Sequence, residues 1–384
     1  MQAFLLAVTF YRDVLPILQN HCQECHRPGQ MAPMSLTTYE ESRPWAKAIR
    51  EQVRSRKMPP WPADPCCGHF TNDRSLSPTE IETLAKWADT GAPKGDLRDA
   101  PSQKTWPDGW NLPAHDLELA MPKPFQVPAS GAVEYQYFLI ATGFKGDRWV
   151  QAVEVRPGNR KVVHHIVVYI REPGSTWTGG PTKSDILTVY APGSTPDSWP
   201  EGMAKLIKAG SDLVFEIHYT PDGKATSDQT RIALVFAKKP PGKRVLTLQL
   251  NNDHFLIPAG EKDYRVSAWG SIPNDALLLS MFPHMHLRGK SFVFALIDDK
   301  NTLLSVPNYD FFWQLSYRLK TPIPLKKGTR IECWGTYDNS ANNPQNPDPS
   351  ADVKYGQQSW EEMMIGFFDV AVDASIGKPE FFVR

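Results

Sequence analysis

The sequence predicts a multidomain protein, with a small α-helical domain followed by two antiparallel β-sandwiches. Three observations carry this reading. The N-terminal part holds helix-period apolar stripes with capping signals. Beyond the Pro-, Gly- and charge-rich stretch "PKGDLRDAPSQKTWPDGWNLP", the pattern changes to short β-branched and aromatic runs divided by Gly/Pro turns. Proline makes up 35 of 384 residues, well above ordinary usage, which favours turns and short strands over long helices. The boundaries expected are 1–94 for the helical domain, 95–112 for a linker, and 113–240 and 241–384 for the sandwiches, with "KKPPGKR" punctuating the last two.

In the helical domain, "YRDVLPILQNHC" places Val14, Leu15, Ile17 and Leu18 at roughly helical spacing. "LTTYEESRPWAKAIREQVRSRK" reads as a second helix. "SPTEIETLAKWADTGAP" carries a full set of signals: Ser77 as N-cap, Pro78 at the first position, Glu80 completing a capping box and Gly91 as the stop. Ile81, Leu84, Trp87 and Ala88 form its apolar stripe.

The first helix runs into Cys22-Gln-Glu-Cys25-His26. Two thiols two residues apart can add to the vinyl groups of a haem, and the adjacent imidazole is then an axial iron ligand, so one covalently bound haem c is expected. A redox dithiol needs a thioredoxin-like βαβ context, and zinc needs a second pair at ligand spacing; neither accompanies this motif. From Phe10 to Lys94 the chain is similar to class I cytochrome c domains. Met58, on the Pro-stiffened loop "RKMPPWPAD", is the expected sixth ligand, with Met31 and Met34 as alternatives. Haem c is attached outside the bacterial cytoplasm, so a periplasmic or extracellular location is expected. "MQAFLLAVTF" is too short and lacks the basic start of a secretory signal, so the signal peptide is expected to be truncated or missing from this sequence.

The strand-like runs are "EYQYFLIA", "WVQAVEV", "KVVHHIVVYI", "DLVFEIHYT" and "RIALVFA", then "VLTLQL", "ALLLSMF", "SFVFALI" and "RIECWGTYD". Five histidines fall in or at the end of such runs: His164 and His165, His218, and the His284-Met285-His286 pair. Residues i and i+2 of a strand share a face, so His284 and His286 can reach one metal. The vicinal pair can do so only where the strand bulges or ends, or through different ring nitrogens.

"HHIVVY", "FEIHYT", "FPHMHLRGK" and "WEEMMIGFF" together, in order and spacing, resemble the type II copper, ascorbate-dependent monooxygenases over about residues 110–384. Peptidylglycine α-hydroxylating monooxygenase and dopamine β-monooxygenase are members of that family. The resemblance implies two jelly-roll copper domains and two copper ions. His164, His165 and His218 are implied for the electron-transfer copper. His284, His286 and Met363, with Met364 as alternative, are implied for the oxygen-activating copper and hence for catalysis. A thioether favours Cu(I), the form that meets O₂. Ile166 stands where the family has Met, and Met285 where it has Thr; neither changes a ligand. Phe282 replaces an Arg that grips a peptide carboxylate, and Phe367 replaces a Tyr, so peptidylglycine is not the expected substrate. Cys333 is kept, but its disulfide partner position is Met364. The expected function is a monooxygenase that hydroxylates a C–H bond of a small organic or peptide-like substrate with O₂. Its electrons come through the haem domain from a protein or small-molecule reductant. The alternative is an electron-transfer or copper-binding protein without hydroxylase activity.

The remaining features are bland. Lys and Arg number 42 against 42 Asp and Glu, which implies no nucleic-acid partner, and there is no apolar run long enough to span a membrane. Cys66 and Cys67 are expected as structural thiols, with a metal site including His69 as the alternative. His21 reads as a solvated helix residue, and His115 and His254 as surface or core.

Overall fold

The computed structural model describes residues 7–106, 109–112, 114–177 and 185–377. The chain forms two compact units, one of residues 1–61 and 73–107 and the other of 62–72 and 108–384. The protein is mostly β-sheet, with a small helical N-terminal region.

In the helical unit a π-turn, Phe10–Val14, leads into α1, Leu15–His21. The expected second helix is broken into α2, Tyr39–Ser42, a 3₁₀ turn, Arg43–Trp45, and α3, Ala46–Arg54. Pro44 has no N–H to donate and crowds the preceding turn, which accounts for the break. The last helix, α4, spans Pro78–Asp89 behind the complete Ser77–Glu80 capping box. Gly91, just past its end, has φ +88°, a conformation that a side chain would oppose. Phe10, Val14, Leu18, Leu84 and Trp87 are fully buried at the centre, and the Trp87 indole N–H donates to the Pro93 carbonyl at 3.1 Å. His21 departs from the solvated expectation: Nε2 lies 3.2 Å from Glu80 and Nδ1 3.2 Å from the Arg74 carbonyl.

The longer strands of the β-rich unit are β1 (Leu117–Ala120), β2 (Gln136–Ala141), β3 (Arg148–Arg156), β4 (Val163–Arg171), β5 (Asp185–Tyr190), β6 (Met203–Ile207), β7 (Asp212–Tyr219) and β8 (Arg231–Phe236). They continue with β9 (Lys243–Asn252), β10 (Tyr264–Ser271), β11 (Ala276–His284), β12 (Gly289–Leu296), β13 (Asn301–Val306), β14 (Tyr317–Leu325), β15 (Arg330–Tyr337) and β16 (Met364–Asp373). One sheet has the order β2-β7-β4-β5, another β10-β15-β12-β13, and a long sheet runs β1-β8-β3-β6-β9-β16-β11-β14. The long sheet is continuous across residue 240 because β9 pairs in parallel with β6, Lys243 opposite Met203.

Layers pack face to face. Val153, Val155 and Leu234 of the long sheet share a core with Ile166, Val168, Phe215 and Ile217. In the second half Gly366 of β16 faces Cys333 and Phe294 so closely that an added Cβ would lie 2.7 Å from the Cys333 sulfur. Residues 62–72 belong to this unit. Asp64 N–H donates to Ser305 O at 2.8 Å, Thr71 N–H to Arg318 O at 2.8 Å, and Lys320 N–H to His69 O at 2.7 Å. On this segment Cys66 and Cys67 form a vicinal disulfide rather than the expected free thiols. A Cys66/Cys67/His69 metal site therefore lacks its thiolates. Among the described residues, no helix is long and apolar enough to cross a membrane.

The helical unit gives a two-part test. Leu84→Ala opens a cavity at a fully buried position and should lower unfolding free energy by about 2–5 kcal/mol. Ser77→Ala removes only the cap and should cost about 1 kcal/mol. Urea unfolding followed by helical circular dichroism measures both, and equal losses would contradict the packing described.

Candidate metal centre

Two groups of candidate ligands lie in the β-rich unit. Strands β4 and β7 pair with His165 directly opposite His218, and the register shifts between Val163 and His165. That irregularity brings His164, which an unbroken strand would point away, to the same side. The three rings lie 5.2–5.3 Å apart, centroid to centroid. His164 Nδ1 is 3.0 Å from His165 Nδ1, and one ligand atom from each of the three residues lies within 4.8 Å of the others. A tetrahedral ion about 2.0 Å from each nitrogen holds its ligands about 3.3 Å apart, so the three can close on one ion with small shifts.

His284 ends β11, and His286 follows two residues on, its ring 5.3 Å away. Strand β11 pairs with β16, His284 opposite Ile365, which brings the residues before β16 beside the histidines. Met363 lines the same cleft as His165 and His284. Met364 turns the other way and sets its sulfur 3.9 Å from that of Cys333, in the core. Of the two methionines, Met363 is the one facing the cleft. The two sets also adjoin: the His165 and His284 rings are 6.0 Å apart. Phe311 stacks on His164 at 4.4 Å and stands 6.2 Å from His286.

All five rings are buried, and burial, reinforced by neighbouring imidazoles, disfavours their charged forms. The His164 imidazole is pushed down to about 3, and His218 to about 4. Burial likewise takes His284 down to about 4 against the opposing hydrogen bond that its ring donates to Gln314, and His165 and His286 well below their ordinary value. A neutral ring keeps one nitrogen as a lone-pair donor, the state a metal requires.

Outer partners choose which nitrogen that is. The Gln314 amide donates to the Phe311 carbonyl at 3.1 Å, so its oxygen faces His284 and accepts from Nδ1–H at 2.7 Å. His286 Nδ1–H donates to the Glu361 carbonyl at 3.2 Å. Both residues thus present Nε2. His286 Nε2, His218 Nδ1 and His164 Nε2 are buried polar atoms with no hydrogen-bond partner. Each such atom costs about 1–3 kcal/mol unless something binds it. The donor set therefore fits metal ions, with three imidazoles in one set and two imidazoles with a thioether in the other.

A cleft lies beside these ligands, lined by His165, His284 and Met363 among others. Phe282, Val167, Ile365 and Phe367 make it apolar, and Tyr135, Tyr137, Tyr169 and Glu216 form a polar wall. Burial lifts the Glu216 carboxyl to about 7 against hydrogen bonds from Tyr137 and Tyr169.

In the helical unit Cys22 and Cys25 form no disulfide with each other. The motif turns back on α1's end, with Cys25 and His26 N–H groups donating to the Cys22 carbonyl at 3.1 and 2.9 Å. Burial pushes the Cys22 thiol up to about 12. His26 Nδ1 lies 3.3 Å from the Met34 carbonyl, which leaves Nε2 for an iron. These donors fit a covalent haem. Met31, Met34 and Met58 are all half-buried.

Phe311, Gln314 and Glu216 were not among the expected site residues. Glu216 shares an i, i+2 face with His218, a signal present in "FEIHYT". Gln314 and Phe311 lie between β13 and β14, outside any periodic pattern. His115 and His254 are exposed and stand apart from both sets.

No family model matches the chain, and no curated protein matches it. Among solved structures it is similar to the major capsid protein P2 of bacteriophage PM2, at 9% identity and a TM-score of 0.31, covering 68% of this chain and 99% of that one. The infectious bursal disease virus Gt strain gives 10% identity and 0.20, covering 70% and 75%. A putative secreted protein from Parabacteroides distasonis ATCC 8503 gives 8% and 0.16, covering 67% and 89%. At these TM-scores the likenesses carry no argument.

The electrostatics predict a pH profile for the metal-free protein. Each ring's folded pKa lies below the ordinary 6.5, so the unfolded chain binds more protons between about pH 4 and 6.5 and stability rises across that window. Glu216 and Glu362, raised by burial to about 7 and about 8 from 4.5, oppose this and make stability fall as pH rises toward 8. Five rings outweigh two carboxyls below 6.5, and above it the carboxyls act alone. Thermal unfolding of the chelator-treated protein should therefore peak near pH 6.5. A midpoint that falls steadily from pH 4.5 to 6.5 would contradict a neutral cluster.

Proposed function

We propose that the protein is a copper-dependent monooxygenase with two copper sites and a fused c-type haem. It hydroxylates a C–H bond of a small organic substrate: R–H + O₂ + two electrons + two protons give R–OH and water. The observation that carries this reading is the cluster of five buried, neutral imidazoles, three of them with an unpartnered ring nitrogen, beside a cleft that His165, His284 and Met363 line. Copper supplies O₂ activation and the haem supplies electrons singly.

The residues divide the work. His284, His286 and Met363 would hold the oxygen-binding copper, and the soft sulfur favours its Cu(I) state. His164, His165 and His218 would hold the electron-transfer copper. Cys22 and Cys25 would anchor the haem, with His26 and Met58 as its axial ligands. Phe282, Ile365 and Phe367 exclude water from the substrate's reacting carbon, and Glu216, in the same cleft, can hold or release a proton. A cleft lined by the apolar Phe282 and by a carboxyl group at Glu216 suits no substrate with a terminal carboxylate, in accord with the departure from peptidylglycine hydroxylases. The two domains of residues 113–240 and 241–384 would be the two jelly-roll copper modules. A protein or small-molecule donor would reduce the haem, in a periplasmic or extracellular setting.

Metal analysis of protein made with a haem-maturation system should give two coppers and one iron per chain, with the haem retained through acid-acetone extraction. Met363→His should keep both coppers, since imidazole is a good ligand, yet abolish CO binding to Cu(I) and O₂ uptake. A copper content near one, or haem released by extraction, would overturn the corresponding assignment. Two coppers that cycle between oxidation states without O₂ uptake, over a broad substrate screen, would select an electron-transfer protein instead.

A further inference from the structure

Glu362 lies directly before Met363, is wholly buried, and sends its carboxylate back toward the histidine segment. Oε2 accepts from the His286 N–H at 2.8 Å and from the Met363 N–H at 3.3 Å. Oε1 accepts from the Arg288 N–H at 2.6 Å. One side chain thus bonds the backbones of two ligand residues that are far apart in sequence. Its surroundings hold it still. The Arg288 side chain, also buried, donates through Nε to Asn339 Oδ1 at 2.7 Å and through a terminal nitrogen to the Trp360 carbonyl at 2.9 Å. From the other side the Tyr337 hydroxyl donates to the Met363 carbonyl at 2.7 Å.

His286 has its ring fixed by the Glu361 carbonyl. Met363 has no such restraint on its side chain, which has three rotatable bonds and a sulfur with little directional preference. The position of that sulfur relative to the imidazoles then rests on where the Met363 backbone is held. The Oε2 bridge is the contact that holds it to His286.

We infer that Glu362 is a positioning residue: its carboxylate couples the His286 and Met363 backbones and so sets the spacing between the imidazole and thioether ligands of one copper. This rests on the ligand assignment proposed above. The role belongs to the placement of Oε2 rather than to charge. A glutamine keeps an acceptor oxygen for the His286 and Met363 N–H groups and gives up only the bond from the Arg288 N–H, whereas aspartate keeps the carboxyl group but draws its oxygens back by about 1.5 Å, one C–C bond.

The test is X-ray absorption of the intact, copper-loaded protein reduced to Cu(I) under argon. Wild type and Glu362→Gln should show sulfur scattering at copper. Glu362→Asp should lose it while keeping two coppers and histidine scattering, and its Cu(I) affinity should drop about tenfold or more. Leu278→Ala, a buried core change on β11, is the control for stability alone and should retain the sulfur at a comparably lowered melting temperature. Sulfur retained in Glu362→Asp, or lost in the control, overturns the positioning role. Sulfur lost in Glu362→Gln but kept in Glu362→Asp assigns the effect to charge and also overturns it. If the aspartate variant does not fold, the glutamine variant decides, because loss of sulfur from folded Glu362→Gln contradicts the inference. Absence of sulfur from wild type overturns the Met363 assignment and the inference with it.

Discussion

Five imidazoles buried within ring contact of one another impose the constraint from which the rest of the site follows. Protonated, they would repel one another with little water to screen them, so the fold keeps them neutral. Neutral rings carry lone pairs, and where the partner on the opposite nitrogen is fixed, as at His284 and His286, the lone pair is aimed. A protein that needed these residues only for packing could use apolar side chains without leaving ring nitrogens unpartnered. The arrangement makes chemical sense once the nitrogens bind something.

The sheets create that constraint. Antiparallel pairing sets His165 opposite His218, and the register shift beside it adds His164. The β11–β16 pairing carries His284 to the segment that holds Met363. Continuity of the long sheet through β6 and β9 makes one compact unit of the residues that carry both sets. Two sets placed on separate sandwiches suggest sites that load independently. The His165 and His284 rings nevertheless approach to 6.0 Å, and Phe311 stands against rings of both groups.

Much of this was legible locally. The capping box at Ser77 formed as its spacing predicts, and the β runs with their histidines became strands in the expected order. The vicinal histidines even announced their bulge, because a regular strand cannot turn both rings to one side. Nonlocal choices were hidden. Nothing in "CCGH" tells that residues 62–72 pack on β13 and β14, or that Cys66 and Cys67 join each other. The parallel β6–β9 pairing depends on the whole sheet, and no local pattern in the sequence marks it. Gln314 and Phe311 sit between strands, where no period marks a residue as buried. Glu362 was findable in principle: an acid within the apolar "MMIGFF" neighbourhood must meet donors or leave the core.

The account is tested most directly by mixing the fully oxidised, copper-loaded protein with less than one equivalent of a one-electron reductant per haem, under argon in a stopped-flow instrument with rapid-freeze sampling. The haem band and the Cu(II) signal are then followed together. The account predicts that reduced haem reoxidises as Cu(II) signal disappears, one electron lost from iron for each copper reduced. A haem that stays reduced while the Cu(II) signal persists would contradict it, and would leave the metal cluster without the internal electron source that the sequence motif implies.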